Sequence, residues 1–184
     1  MVLFTAAANQ STPERRRAQV TGYVMTDSNF RTAVKYWFSS RSAAESMYGH
    51  ISTWETGAVT DMSKLFCDVS HWSDCVGPAA ASFNEDIGAW DTSRVTDMNH
   101  MFCYASDFNK PIGDWDVDKV TDMTGMFNRA SSFNQFIGDW EVGAVQNTWG
   151  MFLSASSFNQ PTAQRLEPSV LDQNGYDVLG RLVV

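Results

Sequence analysis

The segment Cys67-Asp-Val-Ser-His71-Trp-Ser-Asp-Cys75 places two thiols and an imidazole within nine residues, and a third thiol follows at Cys103. As thiolates and a neutral imidazole, Cys67, His71, Cys75 and Cys103 would offer zinc a complete ligand set, although their spacing is not that of a standard zinc site. The other two chemistries are one disulfide among Cys67, Cys75 and Cys103 with the remaining cysteine free, or three buried thiols behaving as small hydrophobes. Spacing alone leaves these open. Three cysteines are too few for a disulfide-built scaffold, so the fold must rest on something else. Nucleophilic catalysis needs a base and an orienter beside the nucleophile, and His50, His71 and His100 have no recognisable partners of that kind. The sequence therefore reads as non-enzymatic, with no catalytic residue, no cofactor and no metal assigned.

The carboxylates are more informative. Glu55, Asp91, Asp116 and Glu141 occupy equivalent places in successive copies of one motif, as do Asp61, Asp97 and Asp122. If equivalent positions lie about 4.8 Å apart, as neighbouring strands do, like charges repel by roughly 1 kcal/mol per pair in water. Arg94 and Lys119 follow two of these acids by three residues and offset part of that repulsion; Ala58 and Ala144 stand at the flanking equivalents. Such a row suits a basic partner, or a divalent ion held by carboxylates. The aspartates of the second column are equally able to accept backbone amides in a turn. Thr60, Thr96 and Thr121 form a hydroxyl column, which raises ice binding as a lesser alternative.

These residues are positioned by a repeat. Ile87, Ile112 and Ile137 recur at a step of 25 residues, and the same step relates Trp90, Trp115 and Trp140; Met101, Met126 and Met151; and Phe102, Phe127 and Phe152. Asn84, Asn109, Asn134 and Asn159 each follow a phenylalanine, where side-chain amides can satisfy backbone groups left unpaired in tight turns. An earlier copy begins at Ile51 and Trp54, but Phe66 and Phe83 are 17 residues apart where Phe102 and Phe108 are 6 apart. That copy carries 11 extra residues. A fixed period in this range predicts a right-handed solenoid of the leucine-rich-repeat type, with four coils over residues 51–160 and an insertion at about 67–80. The spacing further predicts one short strand per coil, with Trp115 and Val117 inward and Asp116 outward. It also predicts a helical turn around Met126-Phe127 and Ala130. In the fourth copy Thr148 and Trp149 replace the expected residues, as terminal repeats often do.

Upstream, Phe30, Ala33, Val34, Trp37 and Phe38 have the spacing of an amphipathic helix over about 28–39, behind an Asp27 or Ser28 able to cap it. A second helix is expected over 42–48, ended by Gly49. Residues 20–50 thus read as an N-terminal helical cap. Residues 1–19 form a polar leader, containing Arg15-Arg16-Arg17 and the sequon-like Asn9-Gln10-Ser11. In residues 161–184 an Asn174-Gly175 turn suggests a hairpin within a C-terminal cap or tail.

The line Phe-Asn-x-x-Ile-Gly-x-Trp-Asp-x-x-x-Val-Thr-Asp-Met-x-x-Met-Phe, carried by residues 83–102 and 108–127, resembles the 25-residue variety of the BspA-like leucine-rich-repeat surface proteins. The resemblance covers about residues 51–160. It implies a surface-exposed binding or adhesion protein without enzymatic activity, at the cell surface or outside the cell.

A net charge of −8 argues against nucleic acid, whose phosphates need a basic face. No run of about 18 apolar residues predicts a membrane span, and the opening Met1-Val-Leu-Phe-Thr is too short for a full secretory signal. The expected function is a protein-interaction or adhesion module that presents a rigid acidic surface to another protein or surface ligand, a basic one by charge. The alternative is a structural subunit held permanently in a larger complex.

Overall fold

The computed structural model describes residues 22–69 and 72–160. The polar leader with its arginine run and sequon, His71, and the Asn174-Gly175 turn of the C-terminal segment all lie outside the described residues.

The chain enters through strand β1 (Val24–Thr26), helix α1 (Phe30–Ser39) and helix α2 (Arg41–Tyr48), then a 3-10 turn (Ile51–Thr53) and strand β2 (Glu55–Ala58). β1 and β2 pair in parallel, Val24 with Glu55 and Thr26 with Ala58, with an irregularity between the two pairs. In α1 the apolar face buries Phe30, Ala33, Val34 and Trp37, each large side chain contributing about 1.5–3 kcal/mol. Phe38 lies against Phe66 and Phe83, and Trp37 meets Trp54 edge-on, so the helix covers the first repeat. Neither Asp27 nor Ser28 caps α1. Asn29 holds the cap position without a side-chain cap bond, while the Asp27 carboxylate accepts from the amides of Thr60 and Asp61 and from the Thr60 hydroxyl. The predicted capping aspartate instead ties the helical segment to the first repeat. α2 ends at Gly49, whose φ of 75° is readily reached only without a Cβ. Arg41 fastens this helix by bonding Glu45 and Glu85 and lying 4.5 Å over the Trp37 ring.

The expected leucine-rich-repeat solenoid, with a strand and a helical turn in each coil, is not the fold found. Among the described residues, regular structure amounts to two helices, one two-stranded parallel sheet and two 3-10 turns, the second being Pro78–Ser82. The rest of the described residues are turns, loops and isolated bridges. Residues 115–117 form no strand, although Trp115 and Val117 are buried and Asp116 is exposed, and residues 124–129 form consecutive turns and no helix. The physical reason lies in two local competitors. Lys64, His100, Gly125 and Gly150 share one repeat position and all have φ between 54° and 60°, and Arg129 has φ 58°, so left-handed residues bracket 126–128 and break a helical run there. Asp116 accepts the Asp118 amide at 3.1 Å, a side-chain turn that competes with the strand expected at 115–117, and Asp61, Asp97 and Asp122 accept the amide two residues on in the same way, at 2.8 Å. Among the described residues the strand found within the repeats is β2 of the first, and it pairs with β1.

What successive repeats share is a hydrogen-bonding register. Isolated parallel bridges join Asp61 to Asp97, Asp97 to Asp122 and Asp122 to Asn147. Beyond each bridge, alternate amides donate to the next repeat: Met98 to Asp122, His100 to Thr124, Phe102 to Met126 and Tyr104 to Asn128. Trp90, Trp115 and Trp140 donate their indole N–H to the carbonyls of Ile51, Ile87 and Ile112. A buried indole needs such a partner.

Inside this register run two files of phenylalanine. Phe66, Phe102, Phe127 and Phe152 follow one another at 5.4–5.6 Å between ring centroids. Phe83, Phe108, Phe133 and Phe158 follow at 5.9–6.0 Å. Within each repeat the two rings stack at 3.9–4.0 Å. Gly88 and Gly113 show why glycine follows the isoleucine: a Cβ at either would lie 2.7 Å from the carbonyl oxygen of Pro111 or Phe136 in the next repeat.

Candidate functional site

Glu55, Asp91, Asp116 and Glu141 are all exposed and each follows a buried tryptophan, Trp54, Trp90, Trp115 and Trp140; Glu55 opens β2 and the other three lie on loops. Asp91 and Asp116 accept the amides of Ser93 and Asp118 at 3.0 and 3.1 Å, which fixes the direction of both carboxylates. Asp91 is held below the usual carboxylate range, first by hydrogen bonding from the Ser93 side chain, then by the Ser93 amide, with Lys119 adding attraction. Lys119 reaches back across one repeat to the Ser93 carbonyl at 2.8 Å. The Asp91 carboxylate also crosses the preceding repeat, where a Cβ on Gly57 would lie 2.6 Å from its Oδ2. Beneath this row, the buried Thr56 and Thr92 donate to the carbonyls of Asp91 and Asp116, anchoring each acidic residue's backbone from the repeat before it.

A hollow lined by Trp54, Glu55, Gly57, Ala89 and Asp91 opens at the head of the row. A second, lined by Asp86, Gly88, Pro111 and Asp114, shares Ser52 and Ala89 with it. Neither hollow is lined by a histidine or a cysteine.

In the second acidic column, Asp61, Asp97 and Asp122 are turn formers, as described above. The threonine hydroxyls are also engaged: Thr96 donates to the Thr60 carbonyl and Thr121 to that of Thr96, while Thr60 donates to Asp27. A row committed to its own backbone has few hydroxyl protons left for ice. Asn84, Asn109 and Asn134 each accept, through Oδ1, the backbone amide of the next member of the column, ending at Asn159. Gln135 and Gln160 add side-chain donors to Asn109 and Asn134.

Of the three cysteines, Cys67 and Cys75 form a disulfide and Cys103 is a buried free thiol. Two of the four thiolate–imidazole zinc ligands are therefore used up by oxidation, and His71 lies outside the described residues. Among the described residues no group of three or more His, Cys, Asp or Glu side chains is placed to hold a metal ion. The cysteines form a small apolar cluster with Val69, and Trp72 packs against it. Burial pushes the Cys103 thiol up to about 12, against a smaller pull from Arg129. His100 meets the Trp72 ring edge-on; burial first, and then Lys64, hold its imidazole below its ordinary value. His50 belongs to the Arg41–Glu85 cluster. That cluster had no signal in the sequence, since Arg41 and Glu85 are 44 positions apart.

Among the described residues no helix is long and apolar enough to cross a membrane.

A chain whose repeats hydrogen-bond one to the next, and whose exposed carboxylates recur from repeat to repeat, is a repeat-built protein with an ordered acidic surface. The family described as Mycoplasma protein of unknown function, DUF285, matches residues 32–77 and 73–174, and the chain belongs to that family. No curated protein and no solved structure matches it.

Proposed function

We propose that this protein is a non-enzymatic interaction module whose row of Glu55, Asp91, Asp116 and Glu141 receives a basic segment of another protein. The observation that carries this reading is the exposed row itself, with the carboxylates of Asp91 and Asp116 fixed by hydrogen bonds. Asp91 and Asp116 are aimed outward by their own turns, on a backbone tied to the neighbouring repeats, so little ordering entropy remains to be lost on binding. Attraction between such a row and a basic segment governs encounter and selectivity, and it falls with salt. The resemblance to BspA-like surface proteins supports a binding role. The Cys67–Cys75 disulfide suits an oxidising compartment.

The test is titration calorimetry of the full chain against Lys/Arg-rich and Asp/Glu-rich peptides of equal length at two salt concentrations. The basic peptide should bind and weaken as salt rises. The variant Glu55→Gln, Asp91→Asn, Asp116→Asn, Glu141→Gln should weaken it by at least tenfold while keeping its fold, because Asn retains the oxygen that accepts in each turn. Equal binding by the variant would refute the proposal.

A second reading, a subunit held in a larger assembly, is favoured by the exposure of Phe136 and Trp149 on neighbouring repeats, 49% and 45%. Light scattering on the protein in its native extract separates the two, since an obligate subunit would not run as a free monomer.

A further inference from the structure

Cys103 lies one repeat along from the oxidised pair, at the position in its own repeat that Cys67 holds in the first. The Asp68 amide donates to the Cys103 carbonyl at 2.9 Å and the Phe66 amide to the Met101 carbonyl at 2.8 Å, so the backbones on both sides of Cys67 run beside Cys103 in fixed register. The adjoining rings, Phe66 and Phe102, lie 5.4 Å apart and 14° from parallel. A disulfide requires Cα atoms about 4.4–6.8 Å apart, which neighbouring chains at about 4.8 Å satisfy. Cys67 and Cys75 satisfy it at 5.0 Å. All three sulfurs share one apolar cluster.

We infer that Cys67 is a shared partner with two alternative disulfides, one to Cys75 within the insertion and one to Cys103 across the two repeats. The exchange needs no outside oxidant. The Cys103 thiolate attacks Sγ of Cys67, the Cys67–Cys75 bond breaks, and Cys75 leaves as a thiolate that takes up the proton Cys103 gave away. The number of disulfides is unchanged, but the covalent tie moves. In the first form it closes the insertion on itself, and there the Ser73 carbonyl accepts from Lys35 of α1 at 2.9 Å. In the second it joins the first and second repeats and frees a thiol beside the exposed Ser73 and Asp74. The exchange is slow at neutral pH because little Cys103 is thiolate. Arg129 favours that thiolate and Asp68 opposes it, and Lys64 and His100 border the same cluster.

The test is peptide mapping by mass spectrometry under non-reducing conditions. The full chain is incubated in a buffer of reduced and oxidised glutathione at several pH values, then alkylated. The expected result is a Cys67–Cys103 peptide paired with alkylated Cys75, growing in about tenfold faster per pH unit below the thiol's pKa. Finding Cys67–Cys75 alone with Cys103 alkylated, or a Cys75–Cys103 peptide instead, overturns the inference. As a second arm, Cys75→Ser is treated with oxidised glutathione. It should close Cys67–Cys103 within the chain, and glutathione carried on both sulfurs of a folded variant would count against it. Should the variant not fold, the wild-type arm decides.

Discussion

Phe127→Ala removes a side chain against which three other rings rest. The Phe127 ring lies 5.6 Å from that of Phe102, 3.9 Å from Phe133 and 5.4 Å from Phe152, and none of its surface is exposed. Truncating a fully buried phenylalanine costs about 3–5 kcal/mol through lost transfer energy and the cavity left behind. Each aromatic pair contributes about 0.5–1.5 kcal/mol beyond its area. Because the neighbouring rings are held by amides that donate from repeat to repeat, they cannot collapse into the gap, and the loss should fall in the upper part of that range. Phe127→Leu fills most of the space and should cost about 1.5 kcal/mol or less. Urea unfolding followed by tryptophan fluorescence measures both, with Tyr104→Ala, an exposed position, as the control. A loss below about 1 kcal/mol for Phe127→Ala, or equal losses for Ala and Leu, would refute the argument that the two phenylalanine files hold the repeats together.

Three further outcomes follow from the geometry. Gly113→Ala should destabilise by about 1–3 kcal/mol, since its Cβ would meet the Phe136 carbonyl, whereas Gly143→Ala, with nothing within 4 Å, should be nearly neutral; thermal melts compare the pair. Asp27 is opposed by burial, but hydrogen bonds from Thr60 and Asp61 outweigh it and leave the carboxyl below its ordinary value. Its contribution is then fully present above the unfolded carboxylate pKa near 4 and lost as pH falls through the lower folded value, so unfolding midpoints should drop on acidification and Asp27→Asn should flatten that drop. Cleaving the Cys67–Cys75 disulfide, which spans eight positions, should cost about 2.5 kcal/mol by the loop-entropy relation; urea midpoints with and without a reductant check it, and no change would show that the insertion does not couple to the rest of the fold.

The two helices were legible because each is set by neighbours three and four residues away: the Phe30, Ala33, Val34 and Trp37 face and the terminating Gly49 need no distant partner. The class of fold was not. The pattern Trp-x-Val is shared by a strand and by an irregular loop that points the same two side chains inward, and residues 115–117 take the second. Gly125 and Gly150 carried a local hint of the left-handed position, but Lys64 and His100 in the same column concealed it. In the acidic row, the types and spacing were readable, whereas the amide partners of Asp91 and Asp116 were not. Asp27 shows the limit most clearly, since an aspartate three residues before a helix has the makings of a cap and here bonds Thr60 and Asp61, 33 and 34 positions away.

By itself the sequence determined the 25-residue register, the residues able to fill a core at each step, and the acidic character of the exposed row, because these depend on residue type and period. The tertiary structure alone decided how each repeat is folded, which cysteine pairs with Cys67, and where the aspartates send their oxygens. In each of those cases two local arrangements satisfy the same residues, and the choice falls to amides, carbonyls and rings supplied by the repeat next to it.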